Sequence, residues 1–417
     1  MDMDEEEEET ITSVDQRRVE YDVMSAFNHF VFEADRVQGA NAVKLDREKH
    51  AEFLKKAFLT IPRSFSGLDA SRPWFVFWLG HPLELLGELD VAWFAPRAAS
   101  FLSHCQDPNG GFAGGPKQLP HLAPTYAAVA ALATAGTDEA FSIVNRPKLY
   151  EFLIRMKDPS GGFRMHDEGE IDMRGTYCAI ATASMLRIIT PELTEGVASY
   201  VCRCQNWEGG IAGEEDLEAH GGYSYCGLAA LAILGEADKL NLRAFLHWAV
   251  HRQMPLEGGF QGRTNKLVDS CYSFWQGAVF PILHDVMQRD GIDVPEDHFW
   301  MAPEPLQMYV MLACQNPLGG LRDKPGKSPD FYHSCYSLSG IAAVQHGPGL
   351  QRNVVGQNEL ARTDIFYNIG LTKSYGLNFY DNEEFVVNGM RGVEGAGAIR
   401  WRHDLIQLRR ARSAEFQ

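Results

Sequence analysis

The chain has 417 residues, with 38 Lys and Arg against 55 Asp and Glu, a net charge of −17, 45% hydrophobic residues and 22% charged ones. These proportions exclude a wholly disordered chain, a collagen-like chain and a small disulfide scaffold, and the acidic balance argues against a nucleic-acid partner.

Asp2, Asp4 and Glu5 through Glu9 supply seven of the negative charges with no apolar partner, so a solvated, disordered tail is expected over residues 1–20. The same residues lack the positive n-region and apolar h-region of a secretory signal. The eight cysteines are therefore expected as reduced thiols or metal ligands, in a cytoplasmic protein. The longest uncharged stretch, Gln118 to Thr137, contains Pro120, His121 and Pro124 and then turns Ala-rich. It reads as a loop followed by a buried helix, not a membrane span.

From there a repeat organises the chain. The segments CQDPNGGF, KDPSGGF, CQNWEGGI, MPLEGGF and CQNPLGGL end at Phe112, Phe163, Ile211, Phe260 and Leu321. Their first glycines, Gly110, Gly161, Gly209, Gly258 and Gly319, are 51, 48, 49 and 61 residues apart. Each pair precedes an apolar segment with an aromatic near its start: Tyr126, Tyr177, Tyr225, Tyr272 and Tyr336. Before each pair lie amphipathic stretches such as Arg146–Met156, Glu192–Cys204 and Leu242–Met254, apolar at three- and four-residue steps. Each unit reads as helix, Gly-rich turn, helix, with the glycines as left-handed turn residues. A second helix that is apolar and small on nearly all sides must be covered on nearly all sides. Two concentric layers satisfy this. The fold class is all-α, an α/α barrel of about six helical hairpins over residues 21–350, with a degenerate sixth unit near Ala51–Leu86 and an extension over 351–417. An open solenoid is the alternative.

Polar residues interrupt the repeat at equivalent places. Arg174 precedes Tyr177; His220, Gly221, Gly222 and Tyr223 precede Tyr225; Arg263, Lys266 and Asp269 precede Cys271 and Tyr272; Asp330, Tyr332 and His333 precede Tyr336. If the barrel closes, these helix starts converge on one rim, where helix N-termini add positive ends. Arg263 and Lys266, with His220 and Arg174, suit a multiply charged anion such as a diphosphate. The plainer reading is surface cations paired with Asp269 and Glu257. Asp269, Cys271 and His333 offer O, S and N ligands with an open fourth position, a catalytic zinc pattern. The plainer reading there is a helix cap and a buried thiol. Trp74, Trp78, Tyr126, Tyr177, Tyr223, Tyr272, Trp275 and Tyr332 are candidates to line an aromatic funnel for a long apolar chain with a charged head, or ordinary core.

On the segments DASRPW ending at Trp74, EAHGGYSYCGLAAL from Glu218, GGFQGRTNKLVDSCYSFW from Gly258 and GGLRDKPGKSPDFYHSCYSLSG from Gly319, the chain resembles the β subunits of the protein prenyltransferases, those of the farnesyltransferase branch above all. The resemblance spans roughly residues 45–347; beyond about Gln351 little matches except Tyr367 to Gly370. It implies a zinc-dependent heterodimer with a helical-repeat α subunit that adds a further lysine. The reaction it implies moves an isoprenoid from farnesyl diphosphate to the cysteine of a C-terminal CaaX sequence.

By position it makes Asp269, Cys271 and His333 the ligands of one zinc ion. It places the diphosphate on His220, Arg263, Lys266 and Tyr272, with Gly221 and Gly222 beside it. The isoprenoid lies along Arg174, Tyr177, Tyr223, Cys226 and Trp275. Trp74, Trp78 and Tyr332 line its far end and the CaaX pocket. Asp323, in DKPGK, is the implied contact for a Mg²⁺ ion that assists the leaving group. The type I geranylgeranyl branch resembles this chain too, but with a basic residue at Asp323 and a small one at Trp74. A triterpene-cyclase-like enzyme is the more remote reading. It needs an Asp-rich motif in an inner helix, which is absent from the sequence.

Overall fold

The structure is a computed structural model describing residues 9–36, 43–292, 294, 300–347, 353–371, 373, 386, 387, 390 and 391. Helix α1 (Ile11–Arg36) begins well inside the stretch 1–20 expected to be a tail. Its Val19 and Val23 are buried against Leu54, Tyr309 and Val310 of the barrel wall, an apolar stripe that the acidic run before it lacks. Most of that run, residues 2–8, lies outside the described residues.

Six hairpins follow. They pair α2 (Arg47–Leu59) with α3 (Arg72–Leu85), α4 (Val91–Ser103) with α5 (Leu122–Ala135), and α6 (Arg146–Met156) with α7 (Met173–Met185). Next come α8 (Val197–Arg203) with α9 (Gly221–Leu234), and α10 (Leu242–Val250) with the broken pair α11 (Tyr272–Trp275) and α12 (Val279–Arg289). The last pairs α13 (Pro303–Met308), continued by the π-helical turn Tyr309–Cys314, with α14 (Phe331–His346). The second helix of each pair packs against the next around a circle, α3 to α5, α7, α9, α11 and α14, and α14 returns to α3. That return makes the solid a closed barrel and excludes the open solenoid.

The sequence dictates the two layers. In α5 every residue but Ala123 is buried, because the helix carries no polar face; α6 buries one face, with Leu149, Tyr150, Phe152, Leu153 and Met156, and exposes Pro147, Glu151 and Arg155. The Gly-Gly pairs are the joints. Gly110 has φ +95°, and a β-carbon there would come 1.8 Å from the backbone oxygen of Lys148 in the first turn of α6. Gly319, at φ +97°, stands likewise 2.3 Å from the oxygen of Lys49 in α2. Each turn is thus clamped against the outer helix of the next hairpin, and the last turn clamps the first, so the glycines build the circle as expected.

Of the expected extension over 351–417, the structure describes residues 353–371 and five further positions. Residues 353–371 pack into the barrel. β1 (Thr363–Asp364) pairs antiparallel with β2 (Ile369–Gly370), and Ile365, Phe366, Tyr367 and Ile369 are buried in the same core as the inner helices. Five apolar or aromatic residues in nine cannot remain in water. Among the described residues no helix is long and apolar enough to cross a membrane, and Gln118–Thr137 forms the loop and buried helix expected of it.

Candidate metal centre and its rim

Helix starts explain why polar side chains gather at one end. The first N–H groups of a helix need acceptors. His121 caps α5 through Nδ1 to Ala123 N (3.0 Å), Asp172 caps α7, His220 caps α9 through Nδ1 to Gly222 N (3.0 Å), and Asp330 caps α14, accepting from His333 N at 2.7 Å. Asp269 accepts from Cys271 N at 2.8 Å just before α11. Closure of the circle brings these caps to one rim.

There Asp269, Cys271 and His333 place their ligand atoms within 4.8 Å of one another. His333 Nε2 lies 3.3 Å from Asp269 Oδ1, while Nδ1 lies 2.6 Å from Asp330 Oδ2. A proton held at Nδ1 by Asp330 leaves Nε2 for a metal, the usual arrangement of a histidine ligand. Burial by itself would lower the pKa of His333, but the hydrogen bonds to Asp269 and Asp330 override it and raise it to about 10. Burial, reinforced by the Asp269 carboxylate, pushes the Cys271 thiol well above its usual range. Two carboxylates and a buried thiol around one imidazole form a site short of positive charge, and the donor set suits zinc. Asp269 Oδ1 both caps the turn and faces His333 Nε2, so the cap reading and the candidate-ligand reading of Asp269 are compatible.

Below the metal group the aromatics close a ring. Neighbouring ring centres lie 4.3–5.7 Å apart in the order Trp74, Tyr126, Tyr177, Tyr225, Trp275, Tyr336, Tyr332, Trp78 and back to Trp74. Trp275 Nε1 donates to Tyr332 Oη at 2.9 Å, and the Tyr332 ring packs edge-on against the His333 ring with centres 5.0 Å apart, so the aromatic ring touches the candidate metal group directly. The break between α11 and α12 gives Trp275 the axial place that spacing assigned to Tyr272.

Tyr272 instead stands on the rim, its Oη 3.0 Å from His220 Nε2. Since His220 Nδ1 accepts from a backbone N–H, its proton sits on Nε2 and is donated to Tyr272; the tyrosine O–H is left to point elsewhere. Burial, with the charge of Arg263, lowers His220 to about 4. Tyr223 lies between the His220 ring (5.2 Å) and the Arg174 guanidinium (6.0 Å).

The four cations do not all stand open. Arg174 is bound to Asp172, at 3.2 and 3.1 Å through Nε, and its pKa is raised chiefly by that bond. Arg263 pairs with Glu218 at 2.8 Å across a half-exposed surface. Lys266 is exposed. The plainer expectation paired the cations with Asp269 and Glu257, but Asp269 faces His333 and Glu257 accepts from Gln16 of α1 at 2.8 Å. Gly221 N donates to Gly262 O and Gly222 N to His220, so both expected donors have partners within the protein. Cys226 is buried beneath Tyr223. Asp323 lies near Asp269, whose charge together with burial raises its pKa, and it pairs with Lys324.

Asp330 was legible only as a polar residue before a helix; its contact with His333 depends on the cap. The segment 363–370 was signalled only by the match at Tyr367 to Gly370. None of the eight cysteines is in a disulfide.

A pH dependence follows from the caps. His121, like His220, is lowered to about 4, by burial first and then by His166. Both groups bind protons in the unfolded chain before they do in the folded one, so stability is complete above about pH 6.5 and falls as pH drops toward 4. The slope is up to about 1.4 kcal/mol per pH unit for each fully responding group, less for these partly solvated ones. Urea midpoints at pH 7, 6 and 5 check this; the His220→Gln protein should show a shallower fall.

Residues 45–369 match the family described as "Prenyltransferase alpha-alpha toroid domain". The protein farnesyltransferase subunit beta of Arabidopsis thaliana is 41% identical, covering 86% of this chain and 87% of that protein. That of Pisum sativum is 43% identical over 72% and 84%. The geranylgeranyl transferase type-1 subunit beta of A. thaliana is 28% identical over 74% and 88%. Among solved structures, a Candida albicans protein geranylgeranyltransferase-I complexed with GGPP superposes with a TM-score of 0.63 at 19% identity, covering 80% of this chain and 98% of that one. That likeness concerns the fold.

Proposed function

The chain belongs to the protein farnesyltransferase β-subunit family, within the prenyltransferase alpha-alpha toroids, and from that premise we propose that it transfers farnesyl from farnesyl diphosphate to the cysteine thiol of C-terminal CaaX sequences, in a heterodimer with an α subunit. The observation that carries this reading is the contact between the Asp269, Cys271 and His333 group and the aromatic ring, where Tyr332 packs edge-on against His333 at 5.0 Å.

Asp269, Cys271 and His333 would hold zinc, which supplies a lowered pKa to a peptide thiol bound beside it. The aromatic ring holds the farnesyl chain by apolar contact and directs its C1 toward that thiol. The S–C1 bond forms as the C1–O bond breaks; the diphosphate leaves with the bonding pair, and the thiol proton passes to solvent. Tyr272 is poised to donate its O–H to the diphosphate because His220 already donates to the tyrosine oxygen. Arg263 and Lys266 add charge where the leaving group gains it. Asp323, paired with Lys324, would be the carboxylate that holds a Mg²⁺ ion assisting the leaving group. Asp330 keeps the His333 proton on Nδ1 throughout.

The decisive experiment compares wild type with Cys271→Ser, each copurified with the α subunit. One zinc per heterodimer in wild type, lost together with farnesylation of a CaaX peptide in the variant, is the expected result. Zinc retained in full by the variant would remove Cys271 from the ligand set. No zinc in either would overturn the proposal.

Chain length is a second test. Trp74 stacks on Trp78 at 5.3 Å and crowds Tyr126 at 5.7 Å, which shortens the ring's interior in favour of a C15 chain. Trp74→Thr should raise kcat/KM for the C20 diphosphate relative to the C15 one by about tenfold or more, read in competition between the two substrates.

A further inference from the structure

We propose that the strap Thr363–Gly370 is the floor of the prenyl cavity and sets, from the far end of the barrel, the longest chain it accepts; this rests on the prenyl-diphosphate reading above. Tyr126, Tyr177 and Tyr225 come from three successive inner helices and form one arc of the aromatic ring. Their hydroxyls donate to three successive backbone carbonyls of the strap: Tyr126 to Tyr367 O (2.7 Å), Tyr177 to Phe366 O (3.0 Å) and Tyr225 to Ile365 O (3.0 Å). The strap backbone therefore lies directly across that arc.

It enters from the end opposite the metal group. Its outer ties are to the last turns of inner helices: Tyr367 Oη to Ser184 Oγ of α7 (2.7 Å), and Asn368 Oδ1 to His81 Nε2 of α3 (3.2 Å). The metal group, His220 and Asp330 stand at the starts of those helices. Each of the three tyrosines is the fifth residue of its helix, so the strap's turn reaches deep into the barrel to meet them. An apolar chain entering from the rim runs toward Tyr126, Tyr177 and Tyr225 and meets the strap behind them.

The floor suits such a chain chemically. Each tyrosine proton is already given to a strap carbonyl, and Ile365, Phe366, Tyr367 and Ile369 are buried with the ring. A terminal isoprene unit meets satisfied polar groups and hydrocarbon. Letting a longer chain pass behind these tyrosines requires the strap to withdraw, which would leave their hydroxyls only the longer contacts among themselves, Tyr177 to Tyr126 at 3.4 Å and to Tyr225 at 3.3 Å. The ties at Ser184 and His81 resist that withdrawal while touching neither the metal group nor the rim.

The test uses the heterodimer with a CaaX peptide and the C15 and C20 prenyl diphosphates. Ser184→Ala and Asn368→Ala release the outer ties. The expected result is a rise of about tenfold in the C20 to C15 ratio of kcat/KM, with zinc content unchanged and C15 turnover within about twofold of wild type. Should either variant fail to fold, Tyr225→Phe keeps the ring, removes one strap bond and carries the same expected rise. An unchanged ratio, or a parallel loss with both substrates, overturns the strap as a length determinant. A wild-type heterodimer that uses neither diphosphate overturns the underlying reading and this inference with it; turnover of C15 with an unchanged ratio in the variants overturns this inference alone.

Discussion

His333→Ala is expected to abolish stoichiometric zinc binding and to lower farnesyl transfer by three orders of magnitude or so, since catalysis would retain only substrate positioning. The imidazole supplies one of the three candidate ligand atoms gathered within 4.8 Å of one another. Asp330→Asn tests the layer behind it. The carboxylate lies 2.6 Å from His333 Nδ1 and also caps α14, so the amide should weaken zinc affinity by 10- to 100-fold while the helix cap survives, because asparagine caps about as well as aspartate. Zinc retention against a chelator series, with the folded fraction followed by circular dichroism, separates the two roles. Wild-type zinc affinity in Asp330→Asn would remove the orienting role.

Gly110→Ala is expected to destabilise the barrel by about 2–5 kcal/mol, from left-handed backbone strain together with overpacking. The added methyl would stand 1.8 Å from the Lys148 carbonyl oxygen, and that oxygen belongs to the first turn of α6, which cannot move without opening the circle. Gly235→Ala is the control. It too has positive φ, +74°, but nothing lies within 4 Å of its added carbon, so only the backbone strain of about 1–2 kcal/mol should appear. Denaturant midpoints of the two variants, measured side by side, should differ by the steric part alone. Equal effects would mean that the clamp between a turn and the next outer helix contributes nothing.

The sequence by itself determined the repeat and the two helical layers, and it singled out Asp269, Cys271 and His333 as a candidate metal group. Five Gly-Gly pairs at regular spacing mark where a chain must turn with positive φ. Helices apolar on all sides, such as Leu122–Ala135, require a wall around them. Asp269, Cys271 and His333 could be singled out together because they fall at the starts of two adjacent inner helices, where the need to cap N–H groups recruits the carboxylates of Asp269 and Asp330.

Only the tertiary structure decided what those side chains face. Arg174 is given to Asp172, and the axial place in the fourth full repeat goes to Trp275 because the inner helix breaks after it. The tail ends early because α1 carries a stripe that the barrel wall can bury. The strap shares no period with the repeats, and the tyrosines it bonds lie 140 to 241 residues away in sequence. Its place depends on three tyrosine hydroxyls from three different helices finding acceptors in one turn. Such a match exists only once the circle has closed, and no local pattern of residues encodes it.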